Sequence, residues 1–234
     1  MSLTRPVSPP AFCPVQWAGE DLHLLPERAL WWPAARTLFV ADLHMGKAAS
    51  YRALGQPVPG GTTQENLSRL TDLIGQHAPA QIVFLGDFLH AAAARTPGVL
   101  AALGDWRARH APIAMTLVRG NHDSRAGDPP SALDIDVVDE PHGLGPFACC
   151  HHPQTHATQF VLAGHVHPVC RLSGLGRDSL RLPCFVIEAR QLVLPAFGEF
   201  TGGWRVEAGP GRRLYPVGAA AVWCLPESRF EPEI

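Results

Sequence analysis

The stretch IAMTLVRGNHD, residues 113–123, decides how this chain is read. Its first six residues form a short apolar run, the pattern of a strand buried in a sheet. Polar chemistry follows at once, with Arg119 before Gly120 and Asn121, His122 and Asp123 after it. At this composition Gly-Asn-His-Asp turns up by chance in about one chain in two thousand, so it is a specific signal. Asn121 is one of only two asparagines, and its amide oxygen can bind a cation without adding charge to a carboxylate-rich site.

Four more segments on either side repeat the arrangement. TLFVA (37–41) leads into Asp42 and His44, QIVFLG (81–86) into Asp87, PFACC (146–150) into His151 and His152, and QFVLAG (159–164) into His165 and His167. Residues two apart at a strand end can point the same way, so D-x-H and H-x-H can each present two donors to one side. Singly these signals are weak. A Gly-Asp after a strand is more often a turn, and a lone His is more often a hydrogen-bonded structural residue. Five apolar runs that all end in Asp, Asn or His make that explanation a poor one. In open α/β sheets ligands bind in the crevice at the carboxyl ends of the strands, so the pattern locates a site as well as describing one.

Helical periodicity fills the gaps between these strands. Thr62-Thr63-Gln64-Glu65 fits a capping box, with Leu67, Leu70, Leu73 and Ile74 as the apolar face behind it. Thr96-Pro97 is a good helix start, continued by Leu100, Leu103 and Trp106. Strands alternating with helices predict an α/β layered fold. From about Phe185 onward the chain turns to short β segments and Gly-rich turns, and the Pro- and Ser-rich start, about 1–13, reads as a loose terminus.

With 234 residues and 46% apolar composition, the chain can bury one substantial core and is too short for two large domains, so a single domain over 1–234 is expected. A net charge of -2 and a pI near 6.6 argue against a broad basic nucleic-acid face; a polyanion would have to be held locally. Lys47 is the only lysine among 19 basic residues. Six cysteines without a C-x-x-C read as reduced thiols. No stretch resembles a signal peptide or reaches the ~18 apolar residues of a membrane span, so no membrane association and a cytoplasmic location are expected.

Taken in order, D-L-H (42–44), G-D (86–87), G-N-H-D (120–123), H-H-P (151–153) and G-H-V-H (164–167) resemble the five motifs of the calcineurin-like metallophosphoesterases. The resemblance implies a four-layer α-β-β-α sandwich and two divalent metal ions, most of all Mn2+, with Fe, Zn or Ni as other options. It assigns Asp42, His44, Asp87 and His167 to one metal. The other takes Asp87, Asn121, His165 and a His of the fourth motif; the H-x-P pattern favours His151, with His152 as the alternative. His122, hydrogen-bonded to Asp123, is implied as the catalytic pair that stabilises the transition state or protonates the leaving oxygen.

L-V-R-G-N-H-D (117–123), G-H-V-H-P (164–168), R-L-P-C-F (181–185) and L-P-A-F-G-E-F-T-G-G (194–203) further resemble the ligase-associated DNA damage response phosphoesterases, the PdeM family. That resemblance implies a Mn-dependent endonuclease or phosphodiesterase acting on DNA, beside an ATP-dependent DNA ligase, a helicase and an exonuclease of the same operon. Read from the residues alone, LPAFGEFTGG is a tight turn of structural character. The segment after Asp87 departs from the family, running through Phe88-Leu89-His90 into four alanines. A small-nucleotide phosphodiesterase or pyrophosphatase is the competing reading. Arg52, Arg119, Arg125 and Arg171 lie near the motifs as candidate substrate contacts, and a homodimer is left open.

Overall fold

The computed structural model describes residues 12–58, 61–173, 178–199 and 201–225. The loose start expected at 1–13 falls almost wholly outside them, as does Phe200. Among the described residues the first sheet takes β1 Cys13–Trp17, β2 Glu20–Leu24, β3 Ala29–Trp32, β4 Thr37–Val40, β5 Gln81–Leu85, β6 Ala114–Val118 and β7 Asp136–Val138, in that spatial order. β1 to β4 run antiparallel; β4 to β7 are parallel. The parallel strands are joined through α1 Lys47–Ala53, α2 Thr62–His77, α3 Pro97–Arg109 and α4 Asn121–Ala126.

A second sheet follows, from β8 His142–Leu144, β9 Phe147–Cys149, β10 Phe160–Ala163, β11 Pro168–Ser173, β12 Ser179–Ile187, β13 Gln191–Val193, β14 Trp204–Arg205 and β15 Arg213–Pro216. Its order is β14-β11-β12-β13-β10-β9-β8, with β15 paired to β12.

The unbroken apolar runs of β4 and β5 are explained by burial on both faces. Leu38, Val40, Ile82 and Phe84 pack with Leu67, Leu70, Leu73, Leu103 and Trp106 of the helices. The alternate residues Phe39, Ala41, Val83 and Leu85 face the second sheet, meeting Phe147, Leu162 and Phe185. The two-sheet α/β sandwich is as the sequence led us to expect. All four described α-helices lie between β4 and β7, and the loop residues Val206, Ala208 and Leu225 pack on Cys170, Cys184 and Val186 of the second sheet.

Helix starts divide by chemistry. Thr96 accepts from the Val99 amide and Pro97 occupies the first turn of α3, as expected. The capping box at Thr62 does not form: Thr62 is already inside α2, whose cap is Gly61 in the left-handed region with φ 94°. The β1–β3 meander was not anticipated: β3, ALWW, is as apolar and as buried as the parallel strands, but no Asp, Asn or His follows it to mark it out. Among the described residues no helix is long and apolar enough to cross a membrane.

Candidate metal centre

Each motif loop leaves the carboxyl end of a buried strand, and the loops are tied to one another by backbone bonds. The amides of Asp42, His44 and Met45 donate to the carbonyls of Gly86, Asp87 and Phe88 at 3.2, 2.8 and 2.8 Å. Asp42, His44, Asp87, His165 and His167 all have positive φ, between 48° and 70°. Side chains two apart therefore converge through left-handed backbone beyond the strand ends and not through strand alternation, which corrects the simpler expectation. Between Asp42 and His44, Leu43 turns the other way into the helix-side core. Such conformations cost a non-glycine residue about 1–2 kcal/mol each and persist where surrounding contacts enforce them.

Two side-chain clusters result. In the first, His44 Nε2 lies 3.3 Å from His167 Nε2 and 3.8 Å from Asp87 Oδ2, and His167 Nε2 is 3.4 Å from Asp42 Oδ1. In the second, His151 Nε2 is 2.9 Å from Asn121 Oδ1, 3.0 Å from His165 Nδ1 and 3.5 Å from Asp87 Oδ1. Asp87 thus turns one oxygen to each cluster. Glycines make room for this closeness. A Cβ on Gly86 would stand 2.1 Å from His151 Nδ1, and one on Gly120 would stand 2.3 Å from Asp87 Oδ1.

The donor set fits two divalent cations. Asp42 Oδ1 is buried without a hydrogen-bond partner. His151 Nδ1 lies 3.0 Å from the Leu85 carbonyl oxygen, a bond that requires the proton on Nδ1 and leaves a lone pair on Nε2. That lone pair faces Asn121 Oδ1, itself an acceptor. Inward-facing lone pairs repel unless a positive charge sits among them. Burial, followed by the charge of Lys47, pushes the His44 pKa well below the ordinary range; burial also lowers His151 and His165, leaving neutral imidazoles suited to metal binding. Burial and then the neighbouring Asp42 charge raise Asp87.

His151 and His152 separate clearly. The His151 side chain is 0% exposed inside the second cluster, whereas His152 is 43% exposed and turns Nδ1 to Glu140 Oε1 at 2.7 Å. The His122–Asp123 pair needs a correction. Asp123 accepts from the amides of Phe88, Leu89 and Gly120 at 3.0, 3.2 and 3.0 Å, so both its oxygens serve backbone at the start of α4. His122 instead places Nδ1 2.6 Å from the His90 carbonyl oxygen, with Nε2 3.9 Å from Asp87 Oδ2.

Residues 35–153 match the family model described as calcineurin-like phosphoesterase. The crystal structure of Pseudomonas putida nuclease MPE is 52% identical and superposes with a TM-score of 0.81, over 92% of this chain and 100% of that one. The chain belongs to the calcineurin-like phosphoesterase family. The phosphoesterase Yfce from E. coli also aligns, at 15% identity and a TM-score of 0.38 over 82% of this chain and 99% of that one. No curated protein matches the sequence at a significant level.

In this phosphoesterase the four arginine candidates are placed unevenly. Arg119 and Arg125 border a cleft of about 430 Å³ together with Asn121, Glu140 and His152. Arg119 already holds both carboxylate oxygens of Asp128 at 2.9 Å and contacts Asp139 as well. Arg52 lines a different cleft, between α1, α2 and α3, with Nη1 3.3 Å from the Val58 carbonyl. Arg171 reaches across from β11 to Ser179 on β12 at 2.8 Å. Three residues were missed. His90 could have been found as a histidine three positions after Asp87, Lys47 as the sole lysine beside a motif; nothing local marks Glu140.

Proposed function

We propose that this phosphoesterase is a dinuclear metal-dependent nuclease that cuts phosphodiester bonds in DNA, with Asp42, His44, Asp87 and His167 on one metal ion and Asp87, Asn121, His151 and His165 on the other. The observation that carries the metal assignment is Asp87, whose two oxygens address two separate histidine clusters. The nuclease reading is supported by the 52% identity to the P. putida nuclease, and the choice of DNA by the resemblance of residues 117–123, 164–168, 181–185 and 194–203 to the DNA damage response phosphoesterases. Two divalent cations held there would supply Lewis acidity and lower the pKa of water enough for hydroxide to be available near neutral pH.

The chain's own residues do the remaining work. Asn121 adds a neutral oxygen, which limits the negative charge facing a phosphate. The His90 carbonyl fixes the proton of His122 on Nδ1, so Nε2 faces the centre and, in the imidazolium form, can hand its proton to the leaving oxygen. Asp123 is a positioning residue that locks the His122 helix start to the loop after β5. We take Mn2+ as the working metal, and a cytoplasmic role in DNA repair beside a ligase, a helicase and an exonuclease as the setting.

The test is cleavage of circular single-stranded DNA by Mn-loaded protein, which has no ends and so reports only internal cutting. Cutting that disappears in Asn121→Ala is expected. A protein inert on all DNA forms yet active on small nucleotide esters would overturn the DNA assignment.

A further inference from the structure

We propose that Lys47 is a substrate-binding residue of this centre, placing its ammonium on a non-bridging oxygen of the phosphodiester; the proposal rests on the phosphoesterase reading above. Lys47 opens α1 directly after the D-L-H loop, with its amide 3.1 Å from the His44 carbonyl oxygen. Its Nζ lies 5.9 Å from the centre of the Tyr51 ring, one turn further along the helix. Tyr51 meets His90 edge-on at 5.6 Å, and His90 stacks on His122 at 5.0 Å and packs against His44 at 5.3 Å. These rings form one wall of the centre, and the ammonium stands on it.

Lys47 is partly buried beside these rings. Yet no ion pair among the described residues includes Lys47. Arg119, by contrast, is already held by two aspartates.

Once cations occupy the two clusters, Asp42 and Asp87 are neutralised by them and the ammonium needs another anion. The substrate phosphate is the anion that arrives there. Residue type supports the assignment. This chain uses arginine for every other basic position, and at this one it has a compact charge on a flexible stem, able to follow a phosphate oxygen as the bond breaks.

Lys47→Met keeps most of the packing and removes the charge, and Lys47→Arg restores charge with a different shape. Both would be compared with the wild type in the Mn-loaded state for metal content, for thermal stabilisation by inorganic phosphate, and for hydrolysis of bis-p-nitrophenyl phosphate. We expect unchanged metal content, phosphate affinity and kcat/KM reduced about ten- to a hundredfold in Lys47→Met, and partial recovery in Lys47→Arg. Unchanged phosphate affinity and kcat/KM in Lys47→Met would overturn the assignment, and so would a loss that simply follows lost Mn. Should the methionine variant fail to fold, Lys47→Gln gives the same comparison. If the wild type hydrolyses no phosphodiester, the functional reading fails separately, and the phosphate measurement still decides whether Lys47 binds the anion.

Discussion

At the scale of single residues the centre is defined by how little space it leaves. Gly86 combines φ +81° with a Cβ position 2.1 Å from His151 Nδ1. Gly86→Ala should therefore cost at least about 2 kcal/mol in urea unfolding and weaken Mn binding, because strain and clash both fall on a proposed ligand. The role of His122 separates from those of the ligands in the same way. His122→Ala should retain two Mn per chain by elemental analysis while kcat falls about 10²- to 10⁴-fold, as for loss of a proton donor. Asp87→Ala should lose metal and activity together; a variant that still carries two metals would contradict the shared-carboxylate geometry. Most of these side chains were legible in the sequence because each is a polar donor following an apolar run. His90 and Glu140 were not, since their importance lies in what they touch: a backbone carbonyl on His122 and a carboxylate on the His151 and His152 amides.

Elements carry a different kind of information. The N-cap of α3 was visible as Thr96-Pro97 because capping is a local bond between neighbours in sequence. Thr96→Ala should lower stability by about 1 kcal/mol in urea denaturation without changing kcat. Asp123 looks equally local, yet it spans two elements, joining the start of α4 to the amides of Phe88 and Leu89. Asp123→Ala should cost more, about 2–4 kcal/mol, since three amides lose a buried partner, and kcat should fall even though His122 is intact. An equal effect of Thr96→Ala and Asp123→Ala on kcat would show that no such coupling exists. The segment 194–199 belongs here too: the amides of Phe197 and Gly198 bond the carbonyls of Ala41 and Asp42, buttressing the Asp42–His44 loop. These bonds agree with the structural reading of that stretch.

For the whole molecule, the two-sheet sandwich brings loops from five strands to one edge and buries two carboxylates there. Asp42 and Asp87 are 0% and 2% exposed. Chelating the metals should lower the melting temperature markedly, because an uncompensated buried charge pair remains and bound-state linkage is lost. Added Mn should restore it in a concentration-dependent manner. Thiol accessibility tests the sandwich itself. Cys224 is exposed and Cys13 partly so, whereas Cys149, Cys150, Cys170 and Cys184 are buried. Burial pushes the Cys149 thiol up and raises Cys150 to about 11. Folded protein should therefore show at most two rapidly titrating thiols at pH 8, against six in denaturant.

The sequence by itself determined the class of fold and the inventory of donors. Periodicity is a property of short windows, and D-x-H, G-N-H-D and H-x-H are written in consecutive residues. It could not decide between His151 and His152, which are chemically identical neighbours; only the packing of β9 against β5 buries one and leaves the other beside Glu140. Nor could it tell that Asp123 serves backbone or that Arg119 is already engaged. Those outcomes depend on contacts between residues far apart in the chain, fixed when the sheets stack and the loops at their edge are forced together.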